Sequence, residues 1–340
     1  MTKRSFSLFT LALLFISAST KVLAVPTDEL IHQLNAQVLR VQVALANGSY
    51  GLGSGVVVAK DHVVTNCHVV ANAVSVSVVS NGSSFSASGV IPDWKHDVCV
   101  LKVEGLDAPT ATIGASKNLK YEQPVFTIGY PSFLPIPTST YGVVKGLFPM
   151  DDSVVIRATS SFRMGASGGG VFDDDGKLVG IITLKSPGRN AYYYNMPVEW
   201  VQALLDKPVQ PIVTKSELPF WAKSLDEWPY FMKVVQPYLT EDWQALKEIA
   251  SQWVQAEPSA TEAWFYLAAA EYATKDTLKA EEHLHKVVAM NSQHSQAIYY
   301  LGLIAEANGQ HGEALTQMAL LSHLDEYAAS ELKTAIGVAQ

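Results

Sequence analysis

The chain has 340 residues, enough for two or three domains with their own cores. Hydrophobic residues make up 48% and charged residues 16%, a globular composition that excludes a disordered chain. The formal net charge of −8 argues against nucleic acid or an anionic membrane surface as the main partner. Residues 1–24 predict a signal peptide: a basic start, "MTKR", an apolar stretch, "LFTLALLFISA", and small residues around Leu23 for cleavage after Ala24. An uncleaved anchor is the alternative. Cleavage would remove Lys3, Arg4 and Lys21 and shift the charge from −8 to −11. The expectation is an exported protein, periplasmic or secreted, with no membrane segment after cleavage. The two cysteines, Cys67 and Cys99, permit one disulfide, and no Cys/His spacing suits zinc, so no metal and no cofactor are expected.

Residues 36–205 alternate short β-branched runs ("GSGVVVA", "VSVSVVS", "SVVIRATS") with Gly, Asn, Pro and Ser breaks. That pattern predicts an antiparallel all-β domain. "VFDDDGKLVGIITL" predicts a hairpin turning at Asp173–Gly176, and "NMPVEWVQALLDK" a helix after a proline start. A Pro-containing connector, "KPVQPIVTKSE", follows at 207–217. From 218 to 340 the apolar residues recur every three or four positions, which predicts helices. That region repeats itself at 34 residues: Trp264 and Ile298, Leu267 and Leu301, Ala280 and Ala314, Leu284 and Met318. Thirty-four residues is the tetratricopeptide period, so two repeats (261–294, 295–328) and a degraded earlier one are expected, with an ordinary bundle as the alternative. In the degraded copy Leu246 stands where the small alanine should be. Such repeats stack and usually present a concave surface to a protein partner.

The chemistry turns on "RMGASGGGVF" (163–172). A serine hydroxyl needs a neighbouring base, the base needs a carboxylate to orient it, and the oxyanion needs backbone donors. An α/β-hydrolase elbow requires a helix and a later histidine, but a hairpin follows Ser167 and the next histidine is His283. A phosphate loop requires Gly-Lys-Ser/Thr, which is absent. The order His, Asp, Ser remains, with "TNCHVV" (65–70), "DWKHDVCVLKV" (93–103) and "GASGG" (165–169).

Those three segments together resemble the chymotrypsin-like (trypsin-like) serine proteases, in particular the compact bacterial HtrA-like branch. "TNCHVV" is similar to that family's T-x-x-H-V-V, "HDVCVLKV" to its D-x-A-x-L-K-V, and "GASGG" to its nucleophile loop. The "IGYPSFLPIPTSTYGVVKGL" and "YNMPVEWV" stretches resemble its connecting hairpin and closing strand. The resemblance covers about residues 36–205. It implies a double β-barrel, with Ser167 as nucleophile, His68 as general base and acid, and Asp97 orienting His68. The backbone N–H groups of Gly165 and Ser167 would form the oxyanion hole, and the glycines after Ser167 would leave room for substrate. Ala166 and Gly170 depart from the family's usual residues. By the same alignment Ser161, Thr183 and Lys185 would border the primary substrate pocket, and the Thr183 hydroxyl would reach Asp97. His62 and His96 would be surface or turn residues. The resemblance also suggests a Cys67–Cys99 disulfide below the triad, against two buried free thiols.

The chain is therefore expected to be multidomain: a signal peptide (1–24), a trypsin-like protease domain (25–206), a linker (207–217) and an all-α tetratricopeptide-like domain (218–340). The expected partners are a protein or peptide substrate and a protein on the helical repeats, not nucleic acid. An inactive or latent protease-fold scaffold is the alternative.

Overall fold

The computed structural model describes residues 26–187, 191–212 and 217–338. The predicted signal segment and residues 213–216 of the predicted linker lie outside the described residues. The first helix, α1 (Asp28–Asn35), starts where Thr27 Oγ1 accepts from the Leu30 N–H at 3.2 Å. The strands β1 (Val38–Leu45), β2 (Tyr50–Ala59) and β3 (His62–Thr65) follow. A one-turn helix, α2 (Cys67–Val70), leads to β4 (Ala73–Ser80), β5 (Ser83–Ser86), β6 (Gly89–Asp93) and β7 (Val98–Lys102). They form an antiparallel sheet in the order β5-β4-β1-β2-β3-β7-β6. A second set closes into a barrel: β8 (Pro124–Gly129), β9 (Thr138–Met150), β10 (Ser153–Ala158), β11 (Gly170–Asp173), β12 (Leu178–Lys185) and β13 (Tyr193–Pro197).

The expected double barrel is thus one closed barrel and one open sheet. The free edge of β6 is occupied by the connector: Val90 and Gln210 exchange N–H···O bonds of 2.8 Å each way. An edge already paired cannot also meet β5. The helix α3 (Val198–Leu205) begins after Pro197, as its sequence predicts.

Beyond the connector lie two short helices, α4 (Tyr230–Lys233) and α5 (Val235–Leu239), then α6 (Trp243–Ala256), α7 (Thr261–Ala273), α8 (Thr277–Met290), α9 (Ser295–Ala307), α10 (His311–Leu321) and α11 (Glu326–Ala335). The starts of α6, α8 and α10 are spaced by 34 residues, and so are those of α7 and α9. The degraded copy keeps its second helix, α6, but its first is split into α4 and α5. Leu246, Ala280 and Ala314 are all fully buried at equivalent places, so the earliest copy accommodates a larger side chain at this point.

The helices pack directly on the closed barrel. Phe148 of β9 stacks on Phe231 of α4 with centroids 4.6 Å apart, and one buried apolar cluster runs from Val38 through Phe148 and Tyr194 to Trp253, Tyr266 and Leu301. Arg157 of β10, 4% exposed, donates to Tyr266 Oη at 2.7 Å and to the Lys145 carbonyl, and lies 3.5 Å from Glu262 of α7. Lys145 of β9 bridges Glu122 and Asp325, each at 2.7 Å. A cleft of about 480 Å³ remains between the barrel and the repeats, bordered by Tyr192, Tyr193, Tyr238, Tyr299, Tyr300 and Tyr327. Part of the helical region's surface is therefore covered by this chain's own barrel.

Candidate active site

The site forms between the open sheet and the closed barrel. His68 sits on α2, just after β3, and Asp97 sits in the loop before β7. Pairing of β3 with β7 sets Thr65 opposite Cys99, which brings the two loops together. Asp97 is fully buried and holds a left-handed backbone (φ 60°), a conformation that Asp tolerates better than most residues. Its neighbours enforce it: its carbonyl accepts from Asn66 Nδ2 at 2.9 Å and from the Cys67 N–H at 3.3 Å. Its carboxylate then grips His68 twice, through the backbone N–H (2.8 Å to Oδ1) and through Nδ1 (2.6 Å to Oδ2). The second contact fixes the imidazole with Nε2 as the free nitrogen.

Cys67 and Cys99 are disulfide-bonded, with Cα atoms 4.9 Å apart, directly beneath this pair. The bond spans a sequence separation of 32, a loop for which chain entropy predicts a stabilisation of about 3–4 kcal/mol. A Cys67→Ala/Cys99→Ala chain should unfold in urea with its stability reduced by that amount. An unchanged midpoint would show that the bond contributes nothing net.

Ser167 lies in the turn before β11. Its Oγ donates to the Thr183 carbonyl at 3.5 Å, and among the described residues it makes no hydrogen bond to His68. Catalytic contacts of this kind commonly tighten only when substrate binds. Gly165 adopts φ +94°, a region closed to most side chains. The Met164 carbonyl accepts from the Ser132 N–H at 2.8 Å, so the trans peptide directs the Gly165 N–H the opposite way. Among the described residues the Gly165 and Ser167 N–H groups donate to no protein acceptor. Gly168 has a different reason from the one expected. A Cβ there would lie 2.1 Å from the Ser54 carbonyl, so the missing side chain makes room for β2 rather than for substrate. Ser54 in turn ties the loop down, its N–H donating to the Ser167 carbonyl and its hydroxyl to the Gly165 carbonyl, each at 2.8 Å.

An open cleft of about 760 Å³ adjoins Ser167, bordered by Phe133, Phe162, Arg163, Met164, Thr183 and Lys185 among others. Thr183 and Lys185 thus border it. Ser161 does not; it is exposed, and its carbonyl accepts from the Thr140 hydroxyl. Its neighbour Phe162 borders the cleft. The Thr183 hydroxyl does not reach Asp97 either. It accepts from Asn66 Nδ2 at 2.9 Å and donates to the Ile181 carbonyl at 3.0 Å. The third donor to Asp97 is Trp221, whose indole Nε1 lies 3.1 Å from Oδ2. Sequence reasoning missed it, because Trp221 belongs to the region after the connector, and 124 residues separate it from Asp97.

His96, expected as a surface or turn residue, lies in the turn before β7 and is only 9% exposed. Its Nδ1 meets Asp93 at 2.6 Å, its Nε2 meets Asp151 of the β9–β10 turn at 2.8 Å, and Trp200 stacks on it at 3.9 Å. Lys95 also bonds Asp151. Burial alone would lower the His96 pKa, but hydrogen bonds to Asp93 and Asp151 and their charges outweigh it and raise it. For Asp93 burial pulls upward, and the bond and charge of His96 bring the value below the ordinary one. Hydrogen bonds from Lys95 and His96 lower that of Asp151. A raised histidine stabilises fully below pH 6.5 and loses its effect as pH rises through the folded value. The lowered carboxylates stabilise above pH 3.8 and lose their effect as pH falls. The melting-temperature gap between the parent chain and His96→Gln should therefore be widest near pH 5–6 and narrow towards pH 9. A gap that does not vary with pH would exclude the charged clasp.

Residues 53–181 match the family model of the trypsin-like peptidase domain. A curated relative in Halomonas elongata, a probable periplasmic serine endoprotease DegP-like, is 34% identical over 165 residues, covering 46% of this chain and 35% of that protein. The chloroplastic Protease Do-like 1 of Arabidopsis thaliana is 33% identical over 245 residues, covering 61% of this chain and 54% of that protein. This chain therefore spans about a third to a half of the length of the curated relatives it matches. The crystal structure of the Rv3671c protease from M. tuberculosis in its active form superposes with a TM-score of 0.50 at 21% identity, covering 63% of this chain and 99% of that one. The fold over the sheet and barrel is that of a trypsin-like protease, followed by a helical region.

Proposed function

We propose that the chain is an exported serine endopeptidase that hydrolyses peptide bonds through Ser167, His68 and Asp97. The observation that carries this reading is the buried Asp97 carboxylate orienting the imidazole through a 2.6 Å contact to His68 Nδ1, beside a serine loop with two N–H groups that bond no acceptor among the described residues. In the proposed cycle Ser167 Oγ turns from the Thr183 carbonyl to His68 Nε2, which takes its proton as the oxygen attacks the scissile carbonyl. The oxyanion is held by the Gly165 and Ser167 N–H groups. His68 returns the proton to the leaving amine, and water, activated the same way, releases the acyl group from Ser167.

The cleft supports a preference in the residue preceding the scissile bond. Phe133, Phe162 and Met164 are apolar, and the charged lining residues, Arg163 and Lys185, are both basic. An apolar or acidic side chain suits this lining better than lysine or arginine. A periplasmic site is supported by the relatives named as periplasmic. The peptidase domain is read as 25–206, the connector as 207–217 and the repeats as 218–340. The 34-residue recurrence of helix starts supports their tetratricopeptide-like character, and the face they leave uncovered is the one proposed for a protein partner.

The test is a fluorophosphonate probe on the full chain, with the labelled peptide mapped by mass spectrometry, beside a casein digest. Labelling at Ser167 with casein cleavage is expected. No labelling of the folded chain would overturn the reading in favour of an inactive scaffold, and labelling without any peptide cleavage would point to another serine hydrolase.

A further inference from the structure

We infer that Trp221, from the segment after the connector, is a positioning residue for the proposed triad, so that the C-terminal part of the chain completes the orientation of Asp97 and His68. The inference rests on the catalytic reading above and adds a residue to it.

Three N–H groups reach the Asp97 carboxylate among the described residues: the His68 backbone N–H, His68 Nδ1, and Trp221 Nε1 at 3.1 Å from Oδ2. The first two come from His68 itself. Among the described residues the indole alone bonds Oδ2 from outside the pair. A carboxylate without a solvent shell depends on such donors, because each bond to an ionised buried group is stronger than a neutral one and its loss leaves a lone pair unsatisfied. Among the described residues the barrel gives that carboxylate no hydrogen bond. The Thr183 hydroxyl is already bonded to Asn66 and to the Ile181 carbonyl.

The same side chain touches the base. The Trp221 and His68 rings meet edge to face, with centroids 5.6 Å apart and planes at 87°. An imidazole so flanked is barred from rotating towards the indole, which keeps Nδ1 on Asp97 and Nε2 free. The tryptophan is itself held. Phe220, next to it and 4% exposed, donates its N–H to the Lys95 carbonyl at 3.0 Å, two residues before Asp97. Further along, Trp228 donates its indole N–H to the Lys223 carbonyl at 3.0 Å, away from the triad. The segment therefore carries two tryptophans of similar kind, one bonded to the triad and one bonded only within the segment.

That pair makes the test. In the full chain, Trp221→Phe removes the donor and keeps a ring, and Trp228→Phe does the same at the control position. With a chromogenic peptide, Trp221→Phe is expected to lower kcat by about 10- to 100-fold with KM changed less than twofold, the loss expected for one bond to a buried charge. Fluorophosphonate labelling, which needs the base but few substrate contacts, should slow by a similar factor. Trp228→Phe should leave both at the parent level. Placing benzothienylalanine at 221 separates shape from donor, since it matches the indole outline without the N–H; it should be as slow as Trp221→Phe. Equal losses in both phenylalanine variants, a change confined to KM, or full activity with benzothienylalanine would overturn the inference and leave Trp221 a packing residue. An unlabelled parent chain would instead overturn the catalytic reading on which it rests.

Discussion

Replacing Ser167 by alanine should lower kcat by about 10⁶-fold and abolish fluorophosphonate labelling, with the folded stability unchanged. The rate loss follows from the chemistry: without the hydroxyl there is no acyl-enzyme, and the remaining residues cannot act as a unit. The unchanged stability follows from the structure. Ser167 Oγ makes one long bond, 3.5 Å to the Thr183 carbonyl, whereas the loop is held by backbone and Ser54 contacts that alanine preserves. The check is a pair of measurements on the same preparation, peptide hydrolysis and thermal melting. Activity within tenfold of the parent would remove Ser167 from the mechanism. A collapse in melting temperature would make the rate uninformative, and probe labelling of a Thr183→Val chain, which keeps the carbonyl and the nucleophile, would then decide.

The second large effect is expected far from Ser167. Arg157→Met should destabilise the chain by about 3–5 kcal/mol, because it leaves the Glu262 carboxylate buried without its cation. Glu262 is 2% exposed and is otherwise faced by His294 at 3.2 Å and by the Tyr121 hydroxyl. Arg157 also donates to the Tyr266 hydroxyl of α7 at 2.7 Å, so its removal loosens the seam between the barrel and α7. Burial opposes the guanidinium charge, but the surrounding tyrosines raise its pKa, so it stays protonated throughout the accessible range. Urea unfolding measures the loss. The double variant Arg157→Met/Glu262→Gln should regain most of it, since the uncompensated charge is then gone. If the double variant is no better than the single, the loss comes from packing rather than from charge.

His68, Asp97 and Ser167 were legible because each sits in a short local pattern whose type and order have a chemical reason. The β and helical halves were legible because hydrophobic periods of two and of three to four residues are properties of consecutive residues. The 34-residue period was legible for the same reason, and it located the helix starts in the two regular copies. The Cys67–Cys99 pair was suggested by the residues flanking the triad, with free thiols as an equal alternative.

What depended on distant residues was not legible. The first sheet stays open with Gln210 on its β6 edge, which no local pattern announces. Ser161 and the Thr183 hydroxyl were assigned by alignment, and their actual neighbours, Thr140 and Asn66, lie 21 and 117 residues away along the chain. His96 lies in a turn as expected, but its contact with Asp151 of the β9–β10 turn, 55 residues along the chain, was not announced by any local pattern. The sequence alone determined the chemical groups, their order and the periods of the elements, because these are carried by neighbours in the chain. The tertiary structure alone decided what faces each buried carboxylate, the Trp221 indole N–H at 3.1 Å from Asp97 and the Arg157 guanidinium at 3.5 Å from Glu262. A buried charge takes its partner from whatever packing brings within about 4 Å, and sequence separation sets no limit on that.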